Sequence, residues 1–286
     1  MSAIYRRDRV TIMGVLNATP DSFSDGGSLL RGSDALDEGA AVDAAAALVR
    51  GGAHVLDVGG ESTRPGAGEV PAALEIARTA RLIELLAKRF AAVLSIDTRK
   101  AEVAEAALAA GATLVNDVSG LRFDPRLAEV VAAAGAHLLV CHSRGTPETM
   151  QESPHYADVI AEVGDELAAS VARAEAAGIP RDRLAVDPGI GFGKRLTDNL
   201  ALLANAGALR ARLSLPLVVG PSRKSFLGSL TGDPPAARDL AGHAACAVAI
   251  FAGADAVRVH DAAGASRAVA VARALRDARR PGGPTA

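Results

Sequence analysis

The chain of 286 residues carries a formal net charge of −2 at pH 7, contains two cysteines and is 49% hydrophobic. It is therefore long and apolar enough to bury a sizeable core, as one large domain or two small ones. The near-neutral charge argues against nucleic acid as the main partner, and no run of about eighteen apolar residues predicts a membrane span. The N-terminus lacks a secretory signal and Cys141 and Cys246 lie far apart, so we expect buried thiols in a cytoplasmic protein.

The first predicted strand covers residues 10–17. Its near-continuous apolar run is typical of parallel sheets, whose strands are buried on both faces. A polar segment over residues 18–34 comes next, and a loop of that length in a compact domain usually carries function. We expect a helix over residues 35–50, with Ser33 or Asp34 as its N-cap.

Strands and helices then alternate along the rest of the chain. Further strands are predicted at residues 54–59, 92–97, 113–118, 137–142, 184–187, 215–220 and 255–260. Further helices are predicted at residues 71–90, 100–110, 125–134, 155–177, 196–210, 236–252 and 262–278. Such alternation predicts a parallel sheet with right-handed crossovers, and eight strand–helix units in about 280 residues match a (β/α)8 TIM barrel. A doubly wound sheet is the alternative, although it usually has fewer strands.

We therefore expect a single catalytic domain over residues 10–278. Residues 1–9 would precede it as an N-terminal extension. Residues 279–286, which are rich in proline and glycine, are expected to form a disordered tail. No break in composition suggests a second domain.

Polar residues recur where the predicted strands end, and in this barrel the carboxyl ends of the strands form the active-site face. They are Asn17, Asp57, Asp97, Asn116, Asp117, His142, Asp187, Arg258 and His260, with residues 222–225 after the seventh strand. Helix N-caps could account for some of them, since Asp97 or Thr98 could cap one helix and Ser119 or Asp124 the next. N-caps do not explain the whole set, because a buried polar group without a partner costs roughly 2–7 kcal/mol. We therefore expect a polar ligand at this face.

The acidic and amide residues suggest what that ligand is. Asp97, Asn116 and Asp187 can accept and donate hydrogen bonds at the edge of a flat heterocycle rich in N–H and C=O groups. Residues 187–194 (DPGIGFGK) add a glycine-rich turn, which fits either a phosphate-binding loop or a strained turn in which glycines supply positive φ. Their spacing meets neither the Walker nor the dinucleotide-binding pattern.

Basic residues follow the last two strands, where this barrel often holds a phosphate group. Lys224, Arg258 and His260 lie there, and an arginine can bind phosphate through two hydrogen bonds. Asn17 and Asp25 offer hard oxygen ligands of the kind that Mg²⁺ takes together with phosphate oxygens. A Ser-His-Asp hydrolase is not expected, because the G-x-S-x-G motif is missing from the sequence. The residues alone predict an enzyme that handles a planar nitrogen heterocycle with a phosphate leaving group.

Seven ordered motifs resemble the dihydropteroate synthase family, and the resemblance extends over nearly the whole chain. The motifs are residues 13–27, 57–66, 95–98, 116–120, 187–194, 222–226 and 258–261. The resemblance implies a transferase of folate biosynthesis that joins 4-aminobenzoate to (7,8-dihydropterin-6-yl)methyl diphosphate. The products would be 7,8-dihydropteroate and diphosphate, formed by an SN1-like, Mg²⁺-assisted reaction. The resemblance also implies a sulfonamide target that forms a homodimer.

The resemblance implies a role for each matching residue. The pterin would be held by Asp97, Asn116, Asp187 and Lys224. The diphosphate would be held by Asn17, Arg258 and His260, with Mg²⁺ bound by Asn17 and Asp25. The 4-aminobenzoate would contact Phe23, Thr63, Arg64, Pro65, Phe192, Lys224 and Ser225. The residues expected to act in catalysis are Asp25, Asp187, Lys224, Arg258 and His260, whereas Lys194 is expected to be a solvated or structural lysine.

Two other functions fit parts of the same pattern. A methyltetrahydrofolate–corrinoid methyltransferase shares the Asp and Asn pterin edge, but residues 222–225 and 258–260 favour the synthase. A synthase-like paralogue without turnover would serve as a binding or regulatory protein, although every expected catalytic residue is present. Small departures occur at Ala18, where the family commonly has Val, and at residues 141–145 (CHSRG), where many members read Met-His-Met-x-Gly.

Overall fold

A computed structural model describes residues 4–6, 8–19, 29–31, 35–62, 66–146 and 149–279. Its strands are β1 (Thr11–Asn17), β2 (Leu30–Arg31), β3 (Ala35–Leu36), β4 (Val55–Gly59), β5 (Val93–Asp97), β6 (Leu114–Asp117), β7 (His137–Cys141), β8 (Leu184–Asp187), β9 (Val218–Val219) and β10 (Ala256–Val259). Its α-helices are α1 (Glu38–Arg50), α2 (Ala72–Ala87), α3 (Ala101–Ala109), α4 (Leu127–Ala133), α5 (Val159–Ala176), α6 (Leu196–Ala204), α7 (Ala206–Leu213), α8 (Ser225–Thr231), α9 (Asp239–Ala252) and α10 (Ala262–Ala278).

Eight of the strands form one parallel sheet in the order β8, β7, β6, β5, β4, β1, β10, β9. The two edges of this sheet meet, because Val186 of β8 pairs with Leu217 just before β9. The Val186 N–H also donates to Pro216 O at 3.0 Å. The sheet thus closes into a barrel with helices around it, which confirms the (β/α)8 TIM barrel and excludes the doubly wound sheet, whose edges stay open.

The start of the first helix differs from the prediction. Ala35–Leu36 is a short strand that pairs antiparallel with Leu30–Arg31, and α1 begins only at Glu38. Its N-cap is Asp37, whose Oδ1 accepts a hydrogen bond from Ala40 N at 3.1 Å. The predicted cap at Ser33 or Asp34 is therefore wrong, because Asp37 stands at the position where a side-chain oxygen reaches the first free N–H groups. Ser33 and Asp34 themselves lie outside the described residues.

The region around the seventh barrel strand also differs. The helix predicted at residues 196–210 is two helices that join at Asn205, and the strand predicted at residues 215–220 is a regular strand only over Val218–Val219. The helix α8 was not predicted. It spans only two turns and ends at Gly232, which has a left-handed φ of 78°, so its sequence carries little periodicity to read.

Side chains fill the interior of the barrel as well as the layer between sheet and helices. The interior cluster consists of Ile4, Tyr5, Met13, Val55, Leu114, Leu139, Ala185, Val218 and Ala256. Ile4 and Tyr5 come from the N-terminal segment, which Thr11 Oγ1 holds by donating a hydrogen bond to Ile4 O at 2.9 Å. The interior is thus a packed core, so the space for a ligand lies at the carboxyl ends of the strands.

Both cysteines are free and buried, as predicted. Burial raises the pKa of the Cys246 thiol to about 12 and that of Cys141 well above its usual value, so both thiols are unreactive. No helix among the described residues combines the length and hydropathy needed to cross a membrane.

Candidate active site at the carboxyl ends of the barrel strands

The parallel register brings several predicted site residues into one row. Asn17 of β1 pairs with Gly59 of β4, Gly59 pairs with Asp97 of β5, and Asp97 pairs with Asn116 of β6. Neighbouring positions in such a row stand side by side at the end of the barrel. Four consecutive strands thus present an amide, a glycine, a carboxylate and a second amide at the same height.

The centre of the site is a buried cluster around Arg258. Arg258 Nε donates to Asp57 Oδ2 at 2.6 Å, and Arg258 Nη2 donates to Asp97 Oδ2 at 2.6 Å. Asn116 Nδ2 also donates to Asp57 Oδ2, at 3.1 Å. Asp57 is fully buried, and Asp97 and Asn116 nearly so. One guanidinium therefore neutralises part of the charge of two carboxylates that are almost out of contact with water.

The sequence pattern gives Asp57 no specific role, although this residue lies at the centre of the cluster. The available signal was its position as the one charged residue in the otherwise apolar strand Val55–Gly59, which is buried throughout. A carboxylate in such a strand requires a partner. Its partners Asn116 and Arg258 come from distant parts of the chain, so the sequence alone did not reveal them.

The electrostatics of the cluster follow from its burial. Burial raises the pKa of Asp97 to about 7, the Arg258 guanidinium opposes that shift, and the Asp57 carboxylate adds to it. Burial acts to lower the pKa of Arg258, but the Asp57 and Asp97 carboxylates outweigh it and raise that pKa above its usual value. Among the described residues, Asp57 Oδ1 and Asp97 Oδ1 are buried without a hydrogen-bond partner. The cluster thus contains two buried carboxylate oxygens that have no hydrogen-bond donor in the described part of the chain. Buried polar atoms are almost always hydrogen-bonded, so these oxygens are suited to accept hydrogen bonds from a ligand.

Asp187 and Lys224 form the next part of the rim. Asp187 Oδ1 accepts the Gly189 N–H at 2.7 Å. A Cβ built on Gly220 would lie 3.9 Å from Asp187 Oδ2 and 3.5 Å from Arg258 Cβ, so only a glycine separates Asp187 from the cluster. Burial raises the pKa of Asp187, which Lys224 opposes, and burial lowers the pKa of Lys224, which Asp187 opposes. The two groups thus stabilise each other's charged forms.

Three backbone donors of the glycine-rich turn after β8 are not available to a phosphate. The N–H groups at Gly189, Gly191 and Phe192 already donate to Asp187 Oδ1, Asn199 Oδ1 and Gly189 O, respectively. Backbone donors that are bonded within the protein cannot bind an anion. The turn is better explained as the element that positions Asp187 and Phe192.

His260 follows β10 directly, two residues after Arg258. Its backbone N–H donates to Ser222 Oγ at 3.2 Å, and its ring Nδ1 lies 2.9 Å from the same Oγ. The Ser222 hydroxyl thus contacts both the backbone and the ring of His260 and fixes the orientation of the imidazole. Asp261 caps α10 directly after it, so His260 stands beside a helix N-terminus, which favours negative charge.

The remaining predicted residues divide into two groups. Phe192 is half-buried and lines a cavity of about 140 Å³ with Ser62, Val118 and Ser143, while Ser225 is exposed at the start of α8. The other predicted residues lie outside the described residues, and they are Phe23, Asp25, Thr63, Arg64 and Pro65. Among the residues that the structure describes, no three His, Cys, Asp or Glu side chains are grouped so as to hold a metal ion.

The N-cap alternative is wrong for α3 and α4, because their N-cap residues are Lys100 and Arg126 and, within the described residues, neither helix has a side-chain cap hydrogen bond. Thr98 and Asp124 instead accept hydrogen bonds from backbone N–H groups close to the helix starts. Thr98 Oγ1 accepts the Lys100 N–H at 3.2 Å, and Asp124 accepts from Ala101 N and Arg126 N, each at 3.0 Å. Asp97, in contrast, points its carboxylate at Arg258. Thr98 and Asp124 are therefore structural, and Asp97 belongs to the cluster.

Lys194 is not solvated, which corrects one of the two interpretations given for it. Only 3% of its surface is exposed, and its Nζ lies 2.9 Å from His142 Nδ1 and 3.0 Å from Phe192 O. His142 is equally buried, and its Nε2 lies 3.0 Å from Glu166 Oε2. The buried pair of Lys194 and His142 was not predicted, since neither residue stands in a pattern that indicates its partner.

Comparisons with known proteins agree with this geometry. Residues 13–260 match the family described as pterin binding enzyme. The chain is 44% identical over 268 residues to the dihydropteroate synthase of Synechocystis sp., covering 93% of this chain and 90% of that protein. A solved dihydropteroate synthase of Yersinia pestis with a sulfonamide drug complex has a TM-score of 0.88 at 40% identity, covering 94% of this chain and 95% of that one. That of Xanthomonas albilineans with 4-aminobenzoic acid has a TM-score of 0.85 at 42% identity, covering 96% and 95%.

Proposed function

The chain belongs to the pterin-binding enzymes and, within them, to the dihydropteroate synthases, and from this premise we propose the reaction that it catalyses. It condenses 4-aminobenzoate with (7,8-dihydropterin-6-yl)methyl diphosphate and releases 7,8-dihydropteroate and diphosphate. The observation that carries the proposal is the buried cluster of Asp57, Asp97, Asn116 and Arg258, with Asp187 beside it. A family member that retains this cluster at its strand ends has the polar surface that a pterin requires.

The acidic side of the site suits the pterin ring. A pterin presents N–H donors at its guanidine-like edge, and carboxylates are acceptors with two oxygens each. Asp97 Oδ1 is buried without a partner among the described residues, and Asp187 stands one glycine away from Arg258. We assign the pterin to Asp97, Asn116, Asp187 and Lys224, since a donor-rich ring relieves the excess of buried negative charge there.

The basic side suits the diphosphate. Arg258 carries the positive charge of the buried cluster, and Ser222 holds the His260 ring beside the N-terminus of α10. Together with Asn17 these residues line the route by which the leaving group departs. Positive charge placed where negative charge grows lowers the barrier to departure.

Asn17 and Asp25 would hold a Mg²⁺ ion that arrives with the diphosphate. Asn17 Oδ1 lies at the rim beside the Asp97 carboxylate, because a Cβ on Gly59 would be 3.7 Å from Asn17 Oδ1 and 3.8 Å from Asp97 Oδ2. An amide oxygen at the rim is a hard ligand, and Mg²⁺ typically takes one or two protein ligands and completes its shell with phosphate oxygens and water. When bound, the ion would act as a Lewis acid on the diphosphate.

The second substrate would bind beside Phe192. Its half-buried ring lies 4.1 Å from the Lys224 ammonium and borders a cavity that also reaches Ser62. Ser225 stands exposed next to Lys224, where it can donate to a carboxylate. The remaining contacts assigned to 4-aminobenzoate are Phe23, Thr63, Arg64 and Pro65.

The residues of the site favour an SN1-like order of events. The pterin ring can donate electrons to its exocyclic methylene as diphosphate leaves, and the neutral amine then attacks the stabilised cation. Asp187 and Asp97 stabilise that cation electrostatically, and Arg258 and His260 stabilise the departing anion. No strong base is required, because the attacking amine is already neutral.

One assay tests the proposed function. Mixing the purified chain with both substrates and Mg²⁺ should release diphosphate and form dihydropteroate, and EDTA should suppress turnover. A methyltransferase or an inactive paralogue would bind the pterin without releasing diphosphate. Because a related structure contains a sulfonamide, we also expect a sulfonamide to compete with 4-aminobenzoate in this assay.

We propose that the protein is a homodimer joined through α9 and α10. Leu240 and Val248 of α9 and Val271 and Leu275 of α10 are each more than half exposed, and the two helices pack side by side. An apolar surface of this kind is typical of an interface. The chain should therefore sediment at twice its mass of 28.9 kDa, and Val248→Lys should shift it towards the monomer. Ala109→Lys, at an exposed alanine of α3, is the matched control and should leave the mass unchanged.

We also propose that the enzyme works in the cytoplasm. The two buried, free thiols suit a reducing compartment. Recovery of the native protein in the soluble cytosolic fraction would check this location.

A further inference from the structure

The backbone between β8 and α6 is held by four side chains, three of which come from outside this segment. Its four consecutive carbonyls accept hydrogen bonds from four different donors. Lys224 Nζ donates to Ile190 O, Gln151 Nε2 to Gly191 O (2.6 Å), Lys194 Nζ to Phe192 O (3.0 Å) and Tyr156 Oη to Gly193 O (3.0 Å). A turn without regular structure cannot satisfy these carbonyls by itself, so the four donors determine its conformation.

Lys194 differs from the other donors because it belongs to a buried chain of hydrogen bonds. Its partner His142 contacts Glu166 through Nε2. The hydrogen bond from His142, with help from Arg144, lowers the pKa of Glu166 to about 2, so Glu166 is an ionised acceptor. Nε2 of His142 therefore carries the proton and Nδ1 accepts one. It follows that Lys194 donates to both His142 Nδ1 and Phe192 O.

His142 also contacts the turn through its backbone. Its N–H donates to Asp187 O at 2.9 Å, and its carbonyl oxygen would lie 1.7 Å from a Cβ built on Gly189, which has a φ of 67°. Only glycine can occupy that position. The end of β7 and the turn after β8 are thus in close backbone contact. The hydrogen bond from Lys194 Nζ to Phe192 O fixes the position of Phe192 relative to both.

We propose that Lys194 and His142 are positioning residues that hold Phe192 in the wall of the 4-aminobenzoate pocket and so set the affinity for that substrate. The inference rests on the proposed function. The ring of Phe192 faces the Lys224 ammonium at 4.1 Å and the cavity that it shares with Ser62. A shift of its backbone changes this pocket and leaves Asp97 and Asn116 on β5 and β6 in place. The affinity for 4-aminobenzoate therefore depends on Lys194 and His142, which do not themselves line the pocket.

Lys194→Met tests this role, because it keeps the aliphatic stem and removes both donated hydrogen bonds. We expect the KM for 4-aminobenzoate to rise about tenfold, the size expected for losing one buried hydrogen bond that positions the wall of the pocket. The kcat and the KM for the pterin diphosphate should change less than the KM for 4-aminobenzoate, because neither hydrogen bond donated by Lys194 reaches Asp97, Asn116 or Asp187. Lys88→Met, at an exposed lysine after α2, is the matched control and should retain all three values.

A purely structural lysine would give a different result. It would lower the melting temperature and the fraction of active enzyme, so that kcat falls while the KM for 4-aminobenzoate stays at the wild-type value. That result would overturn the inference. If the wild-type protein releases no diphosphate, the proposed function fails instead, so the two failures are distinguishable.

His142 allows the same hydrogen bond to be tested from its other side, and it provides a second route should Lys194→Met fail to fold. His142→Gln retains one donor for Glu166 and one acceptor for Lys194, whereas His142→Leu retains neither. We expect the KM for 4-aminobenzoate to rise about tenfold in His142→Leu and by less than about threefold in His142→Gln. Equal KM values in the two variants would contradict the role of the hydrogen bond.

A double-mutant cycle decides whether the effect passes through Phe192. In a Phe192→Leu background, Lys194→Met should change the KM for 4-aminobenzoate by less than about twofold, because the ring that it positions is gone. Full additivity of the two changes would show that Lys194 acts elsewhere and would overturn the inference.

Discussion

Replacing Asp187 by alanine should abolish useful affinity for the pterin substrate while the fold persists. Removing one partner of a buried charged hydrogen bond costs about 2–5 kcal/mol, which corresponds to roughly 30-fold to several thousandfold in the dissociation constant. Isothermal titration with (7,8-dihydropterin-6-yl)methyl diphosphate measures this loss directly.

The fold should survive this change because two effects on stability oppose each other. Burial raises the pKa of Asp187, so the ionised carboxylate is a cost to the ligand-free protein that alanine removes. Alanine also removes the acceptor that Asp187 Oδ1 provides for the Gly189 N–H. The melting temperature of the ligand-free variant should therefore stay close to that of the wild type.

Two further variants separate the charge of Asp187 from its effect on the turn. Asp187→Asn keeps an acceptor for the Gly189 N–H but carries no charge, so it should lose pterin affinity while the turn is retained. Asp182→Asn changes an exposed aspartate in the turn before the same strand and should bind like the wild type. If Asp187→Ala binds the pterin with unchanged affinity, Asp187 has no place in the pterin site.

Replacing Arg258 by alanine should lower turnover by roughly 10²-fold or more, as expected for a group that stabilises charge developing on a leaving oxygen. The KM for the pterin diphosphate should change less than kcat, because Asp187 and Asn116 remain. Steady-state release of diphosphate gives both values. Turnover within about twofold of the wild type would remove Arg258 from the leaving-group role.

The same variant should also be less stable, since Arg258 neutralises Asp57 and Asp97 through two contacts of 2.6 Å. Removing one partner from a buried ion pair costs about 3–5 kcal/mol. The cost should shrink as the pH falls from 8 to 5. The pKa of Asp97 is raised to about 7 even with Arg258 present, so acid protonates this carboxylate and removes its unpaired charge.

Arg210→Ala is the matched control for this loss of an ion pair. Arg210 Nε contacts Asp255 Oδ2 at 2.6 Å, at the opposite end of the strand that carries Arg258. Its removal should lower stability and leave kcat at the wild-type value. Arg258→Lys keeps the charge but not the fork of two donors, so it should recover part of the stability and little of the turnover.

The sequence predicted the barrel well because its evidence is local. Each strand is a short apolar run and each following helix has its own period, so the alternation can be read without knowing any contact. The same reasoning placed Asn17, Asp97 and Asn116 at strand ends, and the observed register sets them in one row through Gly59. Their assignment to the substrates remains a proposal.

Element boundaries were less predictable, because they depend on contacts that form only in the folded chain. The start of α1 at Glu38 follows from the cap at Asp37 and from the short β2–β3 pairing before it. The strand β9 pairs with β10 only over Val218–Val219. On its other side, a single bridge between Val186 and Leu217 joins it to β8 and closes the barrel. Neither the start of α1 nor the extent of β9 can be predicted from the hydrophobic pattern of the sequence.

By itself, the sequence determined the barrel, the face that carries the site and the chemical class of the residues there, because short-range periodicity encodes all three. Only the tertiary structure decided which charges neutralise each other. Asp57 and Arg258 are 201 positions apart and meet because β1 lies between β4 and β10 in the closed sheet. Lys194, expected at the surface or in a structural role, is buried because His142, 52 positions earlier, faces it from the end of β7. Which buried charges pair with each other depends on the order of the strands in the closed barrel. The local sequence around a charged residue does not indicate that order.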